Sequence, residues 1–379
     1  MSFHSSLFGM YKVMIMKKVF IVLLAVILLI SGCANKEKQA SDEASGYEKY
    51  SYEFFGAFDT VIQFIGYTRS EDEFEQYVNK AQGRYEELHK MFDKYNDYSG
   101  INNIKTINDN AGIQPVIVSQ EIIDLILFSK EWYKKTNETF NIALGPVLSI
   151  WHDYREEGKS DPEHAAIPTQ EELQTAANLT DLDKVIVDEE IKSIFLSEHG
   201  MSVDVGAVAK GFATEIVTRE LMEAGIKSCI ISCGGNVRII GKPYDGIRNK
   251  WGIGIQDPQG NALIPDDEPL DTVYIRDTSL VTSGDYQRFY VVDGNILHHL
   301  IDPKTLMPAN HFRAVTVMVE DSGIADIMST AVFLLSYEES NKLVESIEGL
   351  EALWIFPDGV IKSTQGMKEV MKSKGASAQ

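Results

Sequence analysis

The chain has 379 residues, with 56 acidic and 35 basic side chains and a formal net charge of −21. A surface this acidic repels nucleic acid and anionic lipid heads, which excludes a nucleic-acid-binding role. An anionic ligand would need local help from a metal ion or a helix N-terminus.

At the N-terminus, Lys17-Lys18 precede an apolar run from Val19 to Ile30, followed by Ser31-Gly32-Cys33. A basic start, an apolar stretch of about 7–15 residues and small residues at the cut describe an export signal. A membrane-spanning helix needs about 20 apolar residues. Ile30-Ser31-Gly32-Cys33 resembles a bacterial lipobox, which implies a signal over 1–32 and lipid on Cys33. The chain would then be anchored at the outer face of the bacterial cell membrane, and Met14 or Met16 is the expected initiator. Residues 33–49 are polar and read as a flexible tether. The folded part is expected over 50–365, with 366–379 as a polar tail.

Residues 54–67 are rich in aromatic and β-branched side chains and read as strand. Phe74, Tyr77, Val78, Ala81, Tyr85, Leu88 and Phe92 recur at three- and four-residue spacing and predict a helix over 71–95. A second helix is expected from a Ser119 cap to about Lys135. The charged segment 156–168 is expected as an exposed loop, and Thr169 with Glu172 forms a capping box. A strand over 201–205 should lead into a helix over 208–224, closed by Gly225.

Strands are expected at 228–233, 236–240, 251–256, 272–276, 286–292 and 296–301, with an acidic loop over 257–271. Helices follow at 323–337 and 338–348, then a closing hairpin over 353–361. Helices and strands without strict alternation predict an α+β fold with mixed or antiparallel sheets. Cys229 and Cys233 lie four apart in one strand, about 13 Å, too far to bridge, and are expected to be buried.

Four segments carry the chemistry. Asp204-Val205-Gly206-Ala207-Val208-Ala209-Lys210-Gly211 places small residues at a helix start. It is either an N-cap with close packing or a site for a diphosphate or ribityl hydroxyl. Gly234-Gly235-Asn236 is either a turn entering a strand or a close backbone approach to a ligand, and it does not match the dinucleotide fingerprint. His299 ends a strand in the run His299-Leu300-Ile301-Asp302-Pro303, where it is either structural or a proton shuttle. Its neighbour His298 must point the other way. Asp326 and Thr330 are four apart and share a helix face, with Ser329 as a further oxygen. Such hard oxygen donors suit Mg²⁺ shared with phosphate.

Taken together and in this order, these segments resemble the ApbE family of flavin transferases. Thr139 to Trp151 resembles a family block, with Asn141 and Ala143 replacing the usual Asp and Thr. Phe58-Asp59-Thr60, the stretch Phe92 to Asn103 and Thr282-Ser283-Gly284-Asp285-Tyr286 resemble further blocks. The resemblance implies a single domain with two subdomains around a flavin cleft. It implies Mg²⁺-dependent transfer of FMN from FAD to a Thr or Ser hydroxyl of an exported or membrane-bound acceptor protein, with release of AMP. It places FAD contacts on Phe58, Tyr95, Trp151, Asp204, Lys210 and Leu300. Metal ligands fall on the Ala207 carbonyl, Asp326 and Thr330, aided by Ser329. His299 would activate the acceptor, and Asp302 in the same run is the second candidate catalytic residue. Two other activities fit the same residues: Mg²⁺-dependent FAD hydrolysis, and storage of FAD without turnover.

Overall fold

Period-two alternation along the strands builds an eight-stranded sheet in which every neighbouring pair is antiparallel. A computed structural model describes residues 44–258 and 268–379. The expected signal, Cys33, most of the tether and the middle of the 257–271 loop lie outside the described residues. The sheet runs Glu48–Ala57, Thr60–Thr68, Cys229–Cys233, Asn236–Ile240, Ser279–Gly284, Ala314–Val319, Glu351–Ile355 and Ile361–Ser363.

Alternate residues of these strands enter different cores. Ile62, Phe64, Ile231, Val315, Val317 and Trp354 face the helices Glu71–Phe92, Ala209–Glu223 and Ser322–Leu334. Tyr67, Ile230, Ile239, Leu280 and Leu353 face the opposite side. There a two-stranded ribbon, Trp251–Ile255 with Asp271–Ile275, covers them. The polar tail expected at 366–379 is instead packed structure: Gln365–Val370 is helical, and Met367 and Met371 are buried in this second core. A third cluster joins the helix Gly145–Ser160 to the hairpin Phe289–Val292/Asn295–His298 through Val147, Trp151, Tyr290 and Leu297.

The α+β expectation holds, but several local readings are corrected. Residues 54–67 are a hairpin, not one strand; it turns at Phe58 and Asp59, whose φ values are 54° and 51°. The segment 201–205 has no sheet partner, because Val203 donates to Asn108 and Asp204 donates to the Ile142 carbonyl. The 156–168 loop is helical through Ser160, since Gly158 lets that helix lie against the Tyr290 ring. The expected strand 286–292 is shorter, Phe289–Val292, and the sheet strands Ser279–Gly284 and Ala314–Val319 were not expected from the sequence. Cys229 and Cys233 are free and buried, as read from the sequence. Among the described residues no helix is long and apolar enough to cross a membrane.

Candidate active site

The first turn of the Ala209–Glu223 helix meets the middle of the Ser322–Leu334 helix, and the contact depends on Gly211. A Cβ there would lie 2.3 Å from the Ser322 carbonyl oxygen and 2.5 Å from the Asp326 Cβ. The Gly211 N–H donates to Asp326 Oδ2 at 2.8 Å, which fixes the carboxylate at the helix start. Gly211→Ala should gain at most about 1 kcal/mol of helix propensity and lose about 1–3 kcal/mol by overpacking against backbone that cannot yield. We expect net destabilisation in denaturant unfolding, together with reduced activity as Asp326 is displaced.

This junction forms one wall of a cavity. Its lining includes Phe58, Tyr95, Trp151, Asp204, Ala207 and Lys210 together with His299, Leu300, Asp326, Ser329 and Thr330. Every FAD and metal position expected from the sequence therefore borders one space, along with His299. Gly234 and Gly235, at φ 58° and 90°, form a two-residue hairpin turn between Cys233 and Asn236 and also line it. The reading as a turn entering a strand therefore holds, and the turn lies at the cavity wall.

Asp302 is the exception. It does not line the cavity; its Oδ1 accepts from the Lys304 N–H at 2.9 Å, and its backbone closes the turn with Leu306 and Met307. These bonds shape the turn after Ile301. Asp204 is not a helix cap either. Its Oδ1 accepts from the Gly206 N–H at 2.8 Å and its Oδ2 from Lys94 Nζ at 2.6 Å, while the helix N-cap is Val208. Burial alone would raise the Asp204 carboxyl, but the Lys94 ammonium and the Gly206 N–H outweigh it and hold the group below the usual carboxylate range. Asn141 caps the turn at Ile142–Leu144 and donates to the Thr180 carbonyl at 2.9 Å. An ionised Asp could not make that donation.

The Trp151 indole N–H is already used by the Leu306 carbonyl at 2.8 Å, so only its ring is left for a ligand. His298 is buried, with Nε2 on the Ala309 carbonyl at 2.7 Å, while His299 borders the cavity. His299 Nδ1 is buried without a partner. Burial first, and then the neighbouring Arg288, with His298, Arg155 and Lys210 adding to it, push its imidazole down to about 3, so the ring is neutral. Sequence reasoning missed Lys94, Arg155 and Arg288, all of which border the cavity. None has a spacing signal, because the fold alone brings them together.

The donor set fits a hard cation. Asp326 Oδ2 holds Gly211, whereas Oδ1 has only Lys210 Nζ, at 3.7 Å. Ser329 Oγ bonds the Asp326 carbonyl at 2.9 Å and Ser283 Oγ at 2.8 Å. Among the described residues no group of three His, Cys, Asp or Glu could hold a metal. One carboxylate with neutral oxygens is the pattern of an ion that completes its shell with substrate phosphate and water.

The ApbE family model matches residues 58–354. The chain belongs to the ApbE family. Among ApbE-family relatives, the FAD:protein FMN transferase of Treponema pallidum is 32% identical over 276 residues, which cover 70% of this chain and 73% of that protein. A Klebsiella pneumoniae protein of the same description is 30% identical over 74% of this chain and 84% of its own length. The crystal structure of the ApbE protein from Thermotoga maritima superposes with a TM-score of 0.73 at 26% identity, covering 85% of this chain and 99% of that one. The apo flavinyl transferase ApbE of Pseudomonas stutzeri shares the fold, with a TM-score of 0.69 at 22% identity over 86% of this chain and 96% of its own.

Proposed function

We propose that this ApbE-family transferase moves FMN from FAD to a Thr or Ser hydroxyl of an acceptor protein and releases AMP. One observation carries the reading: Asp326, Thr330, Ala207, Lys210 and His299 border a single cavity that is also lined by the aromatic and apolar side chains Phe58, Tyr95, Leu144, Leu148, Trp151 and Leu300. Phe58, Tyr95, Trp151 and Leu300 would hold the flavin ring and ribityl chain. Asp204 would accept from a flavin or ribityl group, and Lys210 would face the diphosphate.

The acceptor oxygen attacks the FMN phosphorus, the bond from that phosphorus to the bridging oxygen breaks, and AMP leaves with that oxygen and the bonding electron pair. Negative charge grows on the phosphate oxygens as this happens. Mg²⁺, held by Asp326, Thr330 and the Ala207 carbonyl with Ser329 behind them, would neutralise that charge and orient the diphosphate. His299, neutral before the step, takes the hydroxyl proton.

The N-terminal pattern supports export and a lipid at Cys33, so we place the enzyme at the outer face of the bacterial membrane, acting on exported or membrane-bound acceptors. Mass spectrometry of an exported redox protein after incubation with this enzyme, FAD and Mg²⁺ should detect an FMN adduct on Thr or Ser, with AMP in equal amount. AMP without any adduct would identify an FAD hydrolase instead. Tight FAD binding without AMP would identify a carrier.

A further inference from the structure

Four cationic side chains border the cavity: Lys94, Arg155, Lys210 and Arg288. Three have partners. Lys94 is held by Asp204 at 2.6 Å, and Arg155 lies 3.2 Å from Glu156 and 2.8 Å from His152 Nδ1. Lys210 lies 3.7 Å from Asp326. Among the described residues no carboxylate lies at salt-bridge distance from Arg288, whose longer-range influence falls on Asp204, a carboxylate already held by Lys94, and its side chain is exposed. An unpaired guanidinium at the rim of a cavity, on a chain of net charge −21, is the local attraction that an anionic ligand requires here.

Backbone pairing fixes where Arg288 points. Phe289 is opposite His298 in the antiparallel hairpin, and the His299 N–H donates to the Arg288 carbonyl at 3.1 Å. The ladder therefore continues one residue further, with Arg288 opposite His299. Directly opposed residues project to the same face, with Cβ atoms about 4.5–5.5 Å apart. The hairpin thus delivers an imidazole and a guanidinium to the cavity as a pair.

Resting on the FAD-transfer reading, we propose that Arg288 is a phosphate-contacting residue, its guanidinium taking non-bridging oxygens of the flavin dinucleotide's diphosphate beside His299. The forked geometry of Arg suits two oxygens of one phosphate. As the acceptor O–P bond forms and the bond to the AMP oxygen breaks, charge rises on those non-bridging oxygens, and the guanidinium is already in place for it. The proximity to His299 is also electrostatic, since Arg288 is the strongest charged influence holding that imidazole neutral. The diphosphate, by compensating Arg288, makes the neighbouring base stronger when substrate is bound.

The test compares wild type, Arg288→Met and Arg288→Lys, each as the full chain with Mg²⁺. Equilibrium binding is read by flavin fluorescence, and turnover by AMP release and FMN adduct formation in the presence of an exported redox protein as acceptor. Riboflavin serves as the probe without phosphate. Arg288→Met should weaken FAD binding roughly ten- to a hundredfold, the loss of one charge-assisted contact, and leave riboflavin affinity unchanged. It should slow AMP release by about 10²–10³, with Arg288→Lys between the two. Equal weakening of FAD and riboflavin would mean that Arg288 only supports the cavity wall, and unchanged FAD binding and turnover would also overturn the assignment. A wild-type protein that neither binds FAD nor releases AMP would overturn the flavin-transfer reading itself, this inference included.

Discussion

Asp326→Ala should reduce AMP release from FAD by at least about a thousandfold at saturating Mg²⁺, the scale expected when electrostatic stabilisation of a phosphoryl step is lost. Asp326 is the only carboxylate in the proposed donor set, and neither Thr330 nor the Ala207 carbonyl carries formal charge. The substitution has a second effect that must be separated from the first. It leaves the buried Gly211 N–H without its acceptor, at about 1–3 kcal/mol. Asp326→Asn resolves the two, because an amide oxygen still accepts from Gly211 but carries no charge for the cation. The Asn variant should unfold near the wild-type denaturant midpoint and remain inactive across an Mg²⁺ titration. AMP release at the normal rate from either variant would show that the metal is held elsewhere.

How much of this site the sequence disclosed depends on the kind of residue. Spacing put Asp326 and Thr330 on one helix face, and only the family resemblance singled that pair out; both border the cavity. His299 was legible as the one of two adjacent histidines able to face the site, and the structure buries His298 against Ala309. Asp302 was misjudged because Asp before Pro in a turn is also an ordinary turn device, which is its use here. Lys94, Arg155 and Arg288 were invisible for a different reason. They come from a helix end, a helix interior and the link between two strands, and no local pattern marks three such cations as neighbours. The fold shows the same division. Long periodic helices such as Glu71–Phe92 were read nearly to their ends. The short ladder of Val116–Ile117, Ser193–Leu196 and Val185–Asp188 went unread, because strands of two to four residues carry too few alternations to register.

His299→Gln should slow AMP release and FMN transfer by about 10²–10⁴, the usual contribution of a positioned acid–base group, while FAD binding stays close to wild type. It should also change how stability depends on pH, and the sign follows from proton counting. The folded-state imidazole lies at about 3 against an ordinary 6.5, through burial first and neighbouring cations second. Between those values the unfolded chain binds a proton at this position and the folded chain does not. Stability from this group is therefore full above about pH 6.5 and falls progressively as pH drops towards 3. Gln cannot take up that proton, so the variant should lose less stability than wild type between pH 6.5 and 4 when denaturant midpoints are compared. The stability effect would arise at any buried neutral histidine, so the loss of activity at near-wild-type FAD affinity is the readout that assigns His299 to proton transfer. A variant that keeps full activity would remove His299 from the proton transfer. An unchanged acid limb of stability would mean that the imidazole is not held neutral in the folded enzyme.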